Sequence, residues 1–501
     1  IEDSVILYAK DNGTVITVEN DKLNLKLSGD STGIFATSQG KVVANRTSLT
    51  LSQPDANGNI PEPTAEVNIY VEGKKDTDGK IKGLGLYTSS GGNISAKNTY
   101  VKVKNGAVGM ASVGNGSKVD LTGGIIDYEG NGYAVYSSDD GEIDLTNGEI
   151  ILRGKATALE LDFAGGTNPI KLQGTRITVM SNDAIIANLK NAGVLNIANL
   201  ESNIAANLGG VTFKNGTNGS EVFDKYKVAA IDGGTLNIDT NIDKGDTSTN
   251  SPGFYYYRRF LGQRLKINVL DNITVNASLN SAYASEYFKG QVVGLEINSS
   301  SSATGVSDTQ INLGHGAKIV ASRLDSGSGA IGAYINYGEI TLDTGSSIEV
   351  EKTLKNENGV GIYAVNGSKI TNKGNITVDG NYGIGIFGTA YRTDSSNIPV
   401  VNEFGGKAGE GELEINNAQN ITLLGMGTVG IYAKNNNISV SSEKTKVNNT
   451  GNITVGDSNT STSVGIYGEK ATISNTGTIS VGAGGVAIYA TEGSRITDLG
   501  T

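Results

Sequence analysis

The sequence predicts an all-β chain wound as a right-handed single-stranded parallel β-helix, with about sixteen three-strand coils and several loop insertions. Three observations carry this. The composition disfavours helices, one short apolar beat recurs along the chain, and two further beats fall between its copies. Gly supplies 70 of 501 residues, and the apolar residues come mainly as short runs of Val, Ile, Leu and Ala, which suit a half-buried pleated surface.

The first beat is plainest toward the C-terminal end. Val360-Gly361-Ile362-Tyr363-Ala364 returns as Gly383-Ile384-Gly385-Ile386-Phe387, Val429-Gly430-Ile431-Tyr432-Ala433, Val464-Gly465-Ile466-Tyr467 and Val486-Ala487-Ile488-Tyr489-Ala490. Fainter copies stand at Gly33 to Ala36, Leu84 to Tyr87, Tyr133 to Tyr136 and Ile331 to Tyr334. The second beat is Gly-Ser-Lys-Ile (Gly116 to Val119, Gly367 to Ile370, Gly493 to Ile496). The third is Gly-x-Ile-x-Val, as at Gly234 to Ile238, Gly338 to Leu342, Gly374 to Val378, Gly411 to Ile415, Gly451 to Val455 and Gly477 to Val481.

From Tyr363 to Phe387 is 24 residues and from Tyr467 to Tyr489 is 22. Three strands of about five residues fill such a period and leave no room for a helix. The Leu ladder of leucine-rich repeats and the 3.6-residue apolar period of helical repeats are both missing.

Alternation assigns faces. Val360, Ile362 and Ala364 are expected inward and Gly361 and Tyr363 outward, while Ile376 and Val378 point in with Asn375 and Thr377 out. One coil leaves its apolar face half wet, and stacking coils at about 4.8 Å buries it, giving one solenoid over 1–501 of roughly 75 Å. Asn-Gly pairs at 115–116, 147–148 and 366–367 are expected to supply positive φ at corners. Asn-x-Thr triplets such as Asn375-Ile376-Thr377 match the glycosylation sequon only in spelling.

Breaks in the period mark insertions near 53–80, 203–227, 239–263, 299–308 and 389–409. Two carry the candidate binding residues. The run Phe254 to Phe260 concentrates Tyr255, Tyr256, Tyr257, Arg258 and Arg259, and the 389–409 stretch holds Tyr391 and Arg392. Tyr and Arg are enriched at binding hot spots. The same run reads equally as a strand whose aromatics pack on the flank of the rod with the Arg pair solvated. The repeated Tyr87, Tyr136, Tyr334, Tyr363, Phe387, Tyr432, Tyr467 and Tyr489 would form an interrupted outward ladder, and such ladders usually stabilise their own sheet.

These coils resemble the passengers of Gram-negative type V autotransporter adhesins, in particular the large fusobacterial outer-membrane adhesins of the RadD kind. The resemblance rests on Gly361 to Ala364 and Asn372 to Val378 and is clearest from about Gly332 onward. It implies an extracellular, cell-surface passenger held at the outer membrane by a C-terminal β-barrel lying outside this sequence. It also implies adhesion to a host receptor or glycan, or to a surface protein of another bacterium.

A net charge of −11 offers no basic footprint, so nucleic acid is not an expected partner. The absence of Cys removes disulfides, thiolate nucleophiles and cysteine metal sites. No apolar run approaches the roughly 18–20 residues of a membrane-spanning helix, and no signal peptide opens the chain, which reads as a segment of a longer protein.

Enzymatic readings fare poorly. Asp139-Asp140 and Glu410 to Glu414 have no second carboxylate at matching phase, as polysaccharide-cleaving β-helices require. Gly456-Asp457-Ser458-Asn459 lacks the second Gly of a serine-protease motif, and the one histidine, His315, has no partner motif. Calcium-binding nonapeptides are missing as well. No catalytic residue, metal or cofactor is therefore expected. A structural or self-associating stalk of a larger adhesin is the alternative function, with a polysaccharide-degrading enzyme third.

Overall fold

The computed structural model describes residues 4–500 except 20–22, 50–66, 74–81, 155, 163–169, 173–174, 180–183, 191–192, 197–225, 231–233, 240, 246–257, 263–264, 280–291, 299–305, 324–328, 352–357, 391–411, 436–443 and 459–460. The described residues form short strands with a single 3₁₀ turn at Val306–Asp308. Contacts divide the chain into two compact units, Ile1–Gly234 and Thr235–Thr501. Each is a parallel β-helix.

In the first unit, as far as Ile185–Lys190, every third strand joins the same sheet. Leu84–Ser89, Asn93–Ser95 and Tyr100–Lys104 are followed one coil on by Val108–Val113, Lys118–Asp120 and Ile125–Glu129, then by Gly132–Ser138, Glu142–Asp144 and Glu149–Leu152. Pairing is parallel and in register: Leu86 with Met110 and Val135, Ile94 with Val119 and Ile143, Val101 with Ile126 and Ile150. A parallel pair needs a crossover, and here the other two strands of the coil provide it.

The second unit repeats the plan with longer columns. Ala333, Ile362, Ile386, Ile431, Ile466 and Ile488 lie in register in the first sheet. Ile340, Ile370, Ile415, Val447, Ile473 and Ile496 do so in the second, and Ile348, Ile376, Ile421, Ile453 and Ile479 in the third. Ile362, Ile386 and Ile431 are all fully buried, as the predicted dry interior demands. Stacking does the burying: Ile473 is fully buried, whereas its register partner Ile496 in the last described coil is 41% exposed. Each such isoleucine contributes roughly 1.5–3 kcal/mol of hydrophobic stabilisation. Among the described residues sixteen strands are of the first kind, eight in each unit.

Strict alternation fails at two residues of the first beat, Val360 and Gly361. Val360 lies not with Ile362 but in an outer cluster with Val293, Ile331, Tyr334 and Val365, against which Tyr363, Ile384 and Phe387 pack. Gly361 takes the inward place. A Cβ on it would sit 2.5 Å from the Gly385 carbonyl oxygen and 2.5 Å from Cγ2 of Ile376. The same squeeze recurs at Gly332, Gly385, Gly430 and Gly465, each against the carbonyl of the next coil and the γ2 methyl of an Ile in the third strand of its own coil. Two consecutive residues thus face inward, and only glycine lets the chain pass so close. Where the Gly-x-Ile-x-Val beat forms the third strand, at Ile376, Ile453 and Ile479, its Ile seats on the Gly of the first beat; the copies at Gly234, Gly338 and Gly411 instead belong to the second sheet.

The second beat closes a turn. Buried Ser368 donates to the Val365 carbonyl (2.8 Å) and accepts from the Gly338 amide (3.2 Å), and Ser117 and Ser494 repeat the arrangement in their own coils. At the predicted corners Asn366, Gly367, Gly116 and Asn147 take positive φ, but Asn115 and Gly148 do not. The corner before the third strand is held differently. Buried Asn372, Asn417, Asn449 and Asn475 form a ladder in which each carboxamide Nδ2 donates to the next Oδ1 at 2.6–2.7 Å. Nδ2 of Asn417, Asn449 and Asn475 also donates to the carbonyl two residues on, closing its own turn.

Most of the expected insertions lie outside the described residues. Parts of three are coil strands: Val67–Glu72 pairs with Leu23–Ser28 and Tyr100–Lys104, Tyr226–Ala230 pairs with Ile185–Lys190, and within 239–263 Ile242–Gly245 pairs with Thr274–Leu279 and Arg258–Gly262 with Val292–Asn298. No helix of the described residues is long and apolar enough to cross a membrane.

Candidate binding surface

The outward side of the first sheet collects the residues that alternation leaves over. In the second unit six rings stand one per coil, Tyr334, Tyr363, Phe387, Tyr432, Tyr467 and Tyr489, with centroids 5.8, 4.5, 5.0, 4.6 and 5.5 Å apart. In the first unit Tyr8, Phe35 and Tyr87 stack at 5.1 and 4.8 Å, and Ala111 then interrupts the register before Tyr136. The ladder is real, though Tyr334 is buried rather than outward-exposed. Stacked rings cover one another's faces and leave mainly their edges for any partner. Desolvation pushes the Tyr432 hydroxyl up to about 12, with the neighbouring Tyr467 adding to the rise, and burial raises that of Tyr363.

Where the column leaves the aromatics in the first unit, a polar cluster takes their place. Glu160 follows Tyr136 in register and Asn188 follows Glu160. Glu160 is fully buried, ion-paired to Lys190, and accepts from Asn188 Nδ2 at 2.8 Å. The Lys190 ammonium also sits 5.6 Å from the centroid of the Tyr133 ring. The Tyr136 hydroxyl lies 3.5 Å from Asp162. Burial holds the Glu160 carboxyl above the usual carboxylate range even though Lys190 and Asn188 oppose the shift. Burial likewise raises the Tyr133 and Tyr136 hydroxyls. Asn188 is 4% exposed, and its Oδ1 has no hydrogen-bond partner. Tyr136 belongs to the repeated ladder, but Glu160, Asn188 and Lys190 do not repeat from coil to coil, so the periodic signal that exposes the core is silent about them.

The outward side of the third sheet carries a second buried group. Arg153 makes a bidentate pair with Asp127 (2.6 and 3.0 Å), and the buried Tyr100 hydroxyl donates to the same carboxylate at 3.0 Å. A carboxylate at 2% exposure is tolerated because all of these donors converge on it. Beside it in the same register run Tyr70 and Lys102, with the Lys26 ammonium 5.9 Å from the Tyr70 ring centre.

Of the residues singled out from sequence, Tyr255, Tyr256, Tyr257, Tyr391 and Arg392 lie outside the described residues. Arg258 and Arg259 open a strand of the first sheet, and the Arg259 backbone lies in register with Glu296; their side chains are not described. The remaining polar motifs have structural partners. Asp139 and Asp140 occupy a positive-φ turn, Glu412 pairs with Lys444, Asp457 Oδ1 accepts from the Ala483 amide (2.7 Å), and the His315 amide donates to Asp271 (2.9 Å). Among the described residues no three His, Asp or Glu converge as metal ligands. Searches against known sequences add no relative: no family model matches the chain, and no curated protein matches its sequence.

Proposed function

We propose that the chain is the surface-exposed β-helical passenger of a bacterial adhesin, attaching to a host receptor or glycan or to a surface protein of another bacterium. The observation that carries the reading is the division of labour within each coil. Inward positions are spent on an aliphatic column, while the outward side of one sheet presents runs of aromatic side chains, Tyr8 to Tyr87 and Tyr334 to Tyr489, and the polar cluster around Glu160. A net charge of −11 suits a chain that must stay soluble when displayed outside the cell. On this reading the chain performs no catalysis, and an outer-membrane barrel outside this sequence anchors it.

A stalk role is favoured by the stacked rings, whose faces are spent on one another. The 501-residue chain, purified and labelled, is added to cultured epithelial cells and to a panel of oral and gut bacteria. Saturable attachment that unlabelled chain competes away supports the adhesin. Attachment to none of them favours the stalk.

A further inference from the structure

The buried acceptor on Asn188 is the point in the described structure where a polar atom lacks a partner inside a cluster that already looks like the floor of a site. In the Asn372–Asn475 ladder each Oδ1 that faces a neighbouring coil accepts from an amide there. Asn188 gives its Nδ2 to Glu160 and leaves Oδ1 without a partner; its register partner in the following coil is an alanine, Ala229. An unpartnered buried acceptor is costly and calls for a donor from elsewhere.

The surroundings select that donor. An anion is repelled by Glu160 and Asp162. A cation finds its place taken, because Lys190 is already paired to Glu160 and lies over Tyr133. A neutral group with hydroxyl donors and an apolar ring face meets neither objection. Its hydroxyls can donate to Asn188 Oδ1 and to the carboxylates, and its C–H face can rest on Tyr133 and Tyr136, whose rings are 6.4 Å apart and tilted by 42°. Glu160 and Asn188 form the floor, and the half-buried Tyr133, Tyr136, Asp162 and Lys190 form the rim.

We propose that Asn188, Glu160, Lys190, Tyr133, Tyr136 and Asp162 form a binding site for a neutral saccharide on the outward side of the first sheet. The site gives the adhesin reading a ligand class and rests on that reading only for its biological use.

The test is ligand-observed NMR of the full 501-residue chain with glucose, galactose, mannose and N-acetylglucosamine, alongside two variants. At least one sugar is expected to bind saturably, and Asn188→Ala is expected to weaken it about tenfold or more. Because Asn188→Ala also strips Glu160 of a donor and can unsettle the fold, Ala229→Asn is the second variant. It puts a carboxamide at the register partner of Asn188 in the following coil, and should abolish sugar binding while the thermal midpoint holds or rises. Binding of no sugar by the unaltered chain, or undiminished binding by a folded Ala229→Asn, overturns the proposal. Cell attachment that persists in Ala229→Asn and ignores free sugar removes the site and leaves the adhesin reading standing. Sugar binding by a chain that attaches to no cell does the reverse.

Discussion

Replacing Asn417 by leucine separates two roles that the sequence gives to adjacent asparagines. Asn417 is 1% exposed and accepts from Asn372, donates to Asn449, and donates to the Gln419 carbonyl at 2.7, 2.6 and 2.9 Å. Asn417→Leu would leave one donor and two acceptors unpaired, each costing about 1–3 kcal/mol when buried. Leucine returns roughly 1–2 kcal/mol of hydrophobic gain. The expected net loss is about 3–5 kcal/mol. Asn416, one residue earlier, stands in a parallel ladder, accepting from Asn448 at 2.8 Å, but that bond is exposed to water. Asn416→Leu should cost no more than about 1 kcal/mol.

A repeat array need not unfold in one step, so the loss is best read locally, by hydrogen exchange in the strands Lys369–Asn372, Leu413–Asn417 and Thr445–Asn449. Protection there should fall about a hundredfold to a few thousandfold in Asn417→Leu and only slightly in Asn416→Leu. Equal losses in the two variants would refute the view that burial, rather than laddering, gives the inner column its weight.

Three further outcomes follow from the same coils. Gly385→Ala places a Cβ 2.4 Å from Cγ2 of Ile421 and 2.5 Å from the Gly430 oxygen; it should destabilise by about 1–3 kcal/mol or more, measured as a lowered denaturation midpoint. Ile431→Ala hollows a fully buried position and should cost about 2–5 kcal/mol by the same measurement. Tyr432 has its hydroxyl raised from 10.0 to about 12 in the folded chain. Its contribution is fully present below pH 10 and lost as pH rises through about 12, so Tyr432→Phe should lose less stability than the unaltered chain over that window in an alkaline titration.

The columns of Ile362, Ile386 and Ile431 were legible because period-two alternation and a period of about 22–24 residues act together on the same side chains. Val360 was misplaced for a local reason: two inward residues in succession break the alternation, and the break is permitted by a glycine that reads as neutral in any hydropathy pattern. The inner Asn ladder was hidden because Asn375 and Asn372 look alike in sequence, and only the closed turn at Gly374 separates an exposed rung from a buried one. Glu160, Asn188 and Lys190 carry no repeat signal at all, since a site that interrupts a solenoid differs from its neighbours. The Phe254 to Phe260 run had the opposite character: it was conspicuous in composition, yet composition cannot say where a side chain lands.

The asparagine-lined corner has a consequence for how these repeats can change length. From Lys369 onward the step from second to third strand stays short, from Asn372 to Asn375, Asn417 to Ile421, Asn449 to Asn452 and Asn475 to Thr478. The step from first to second strand runs from Val365 to Lys369 in one coil and from Thr389 to Leu413 in the next. A carboxamide that must reach both the adjoining winding and a carbonyl two positions ahead tolerates almost no slack. Growth is therefore channelled to the edge that lacks this double tether, where a new excursion can be accepted without disturbing the winding beneath it.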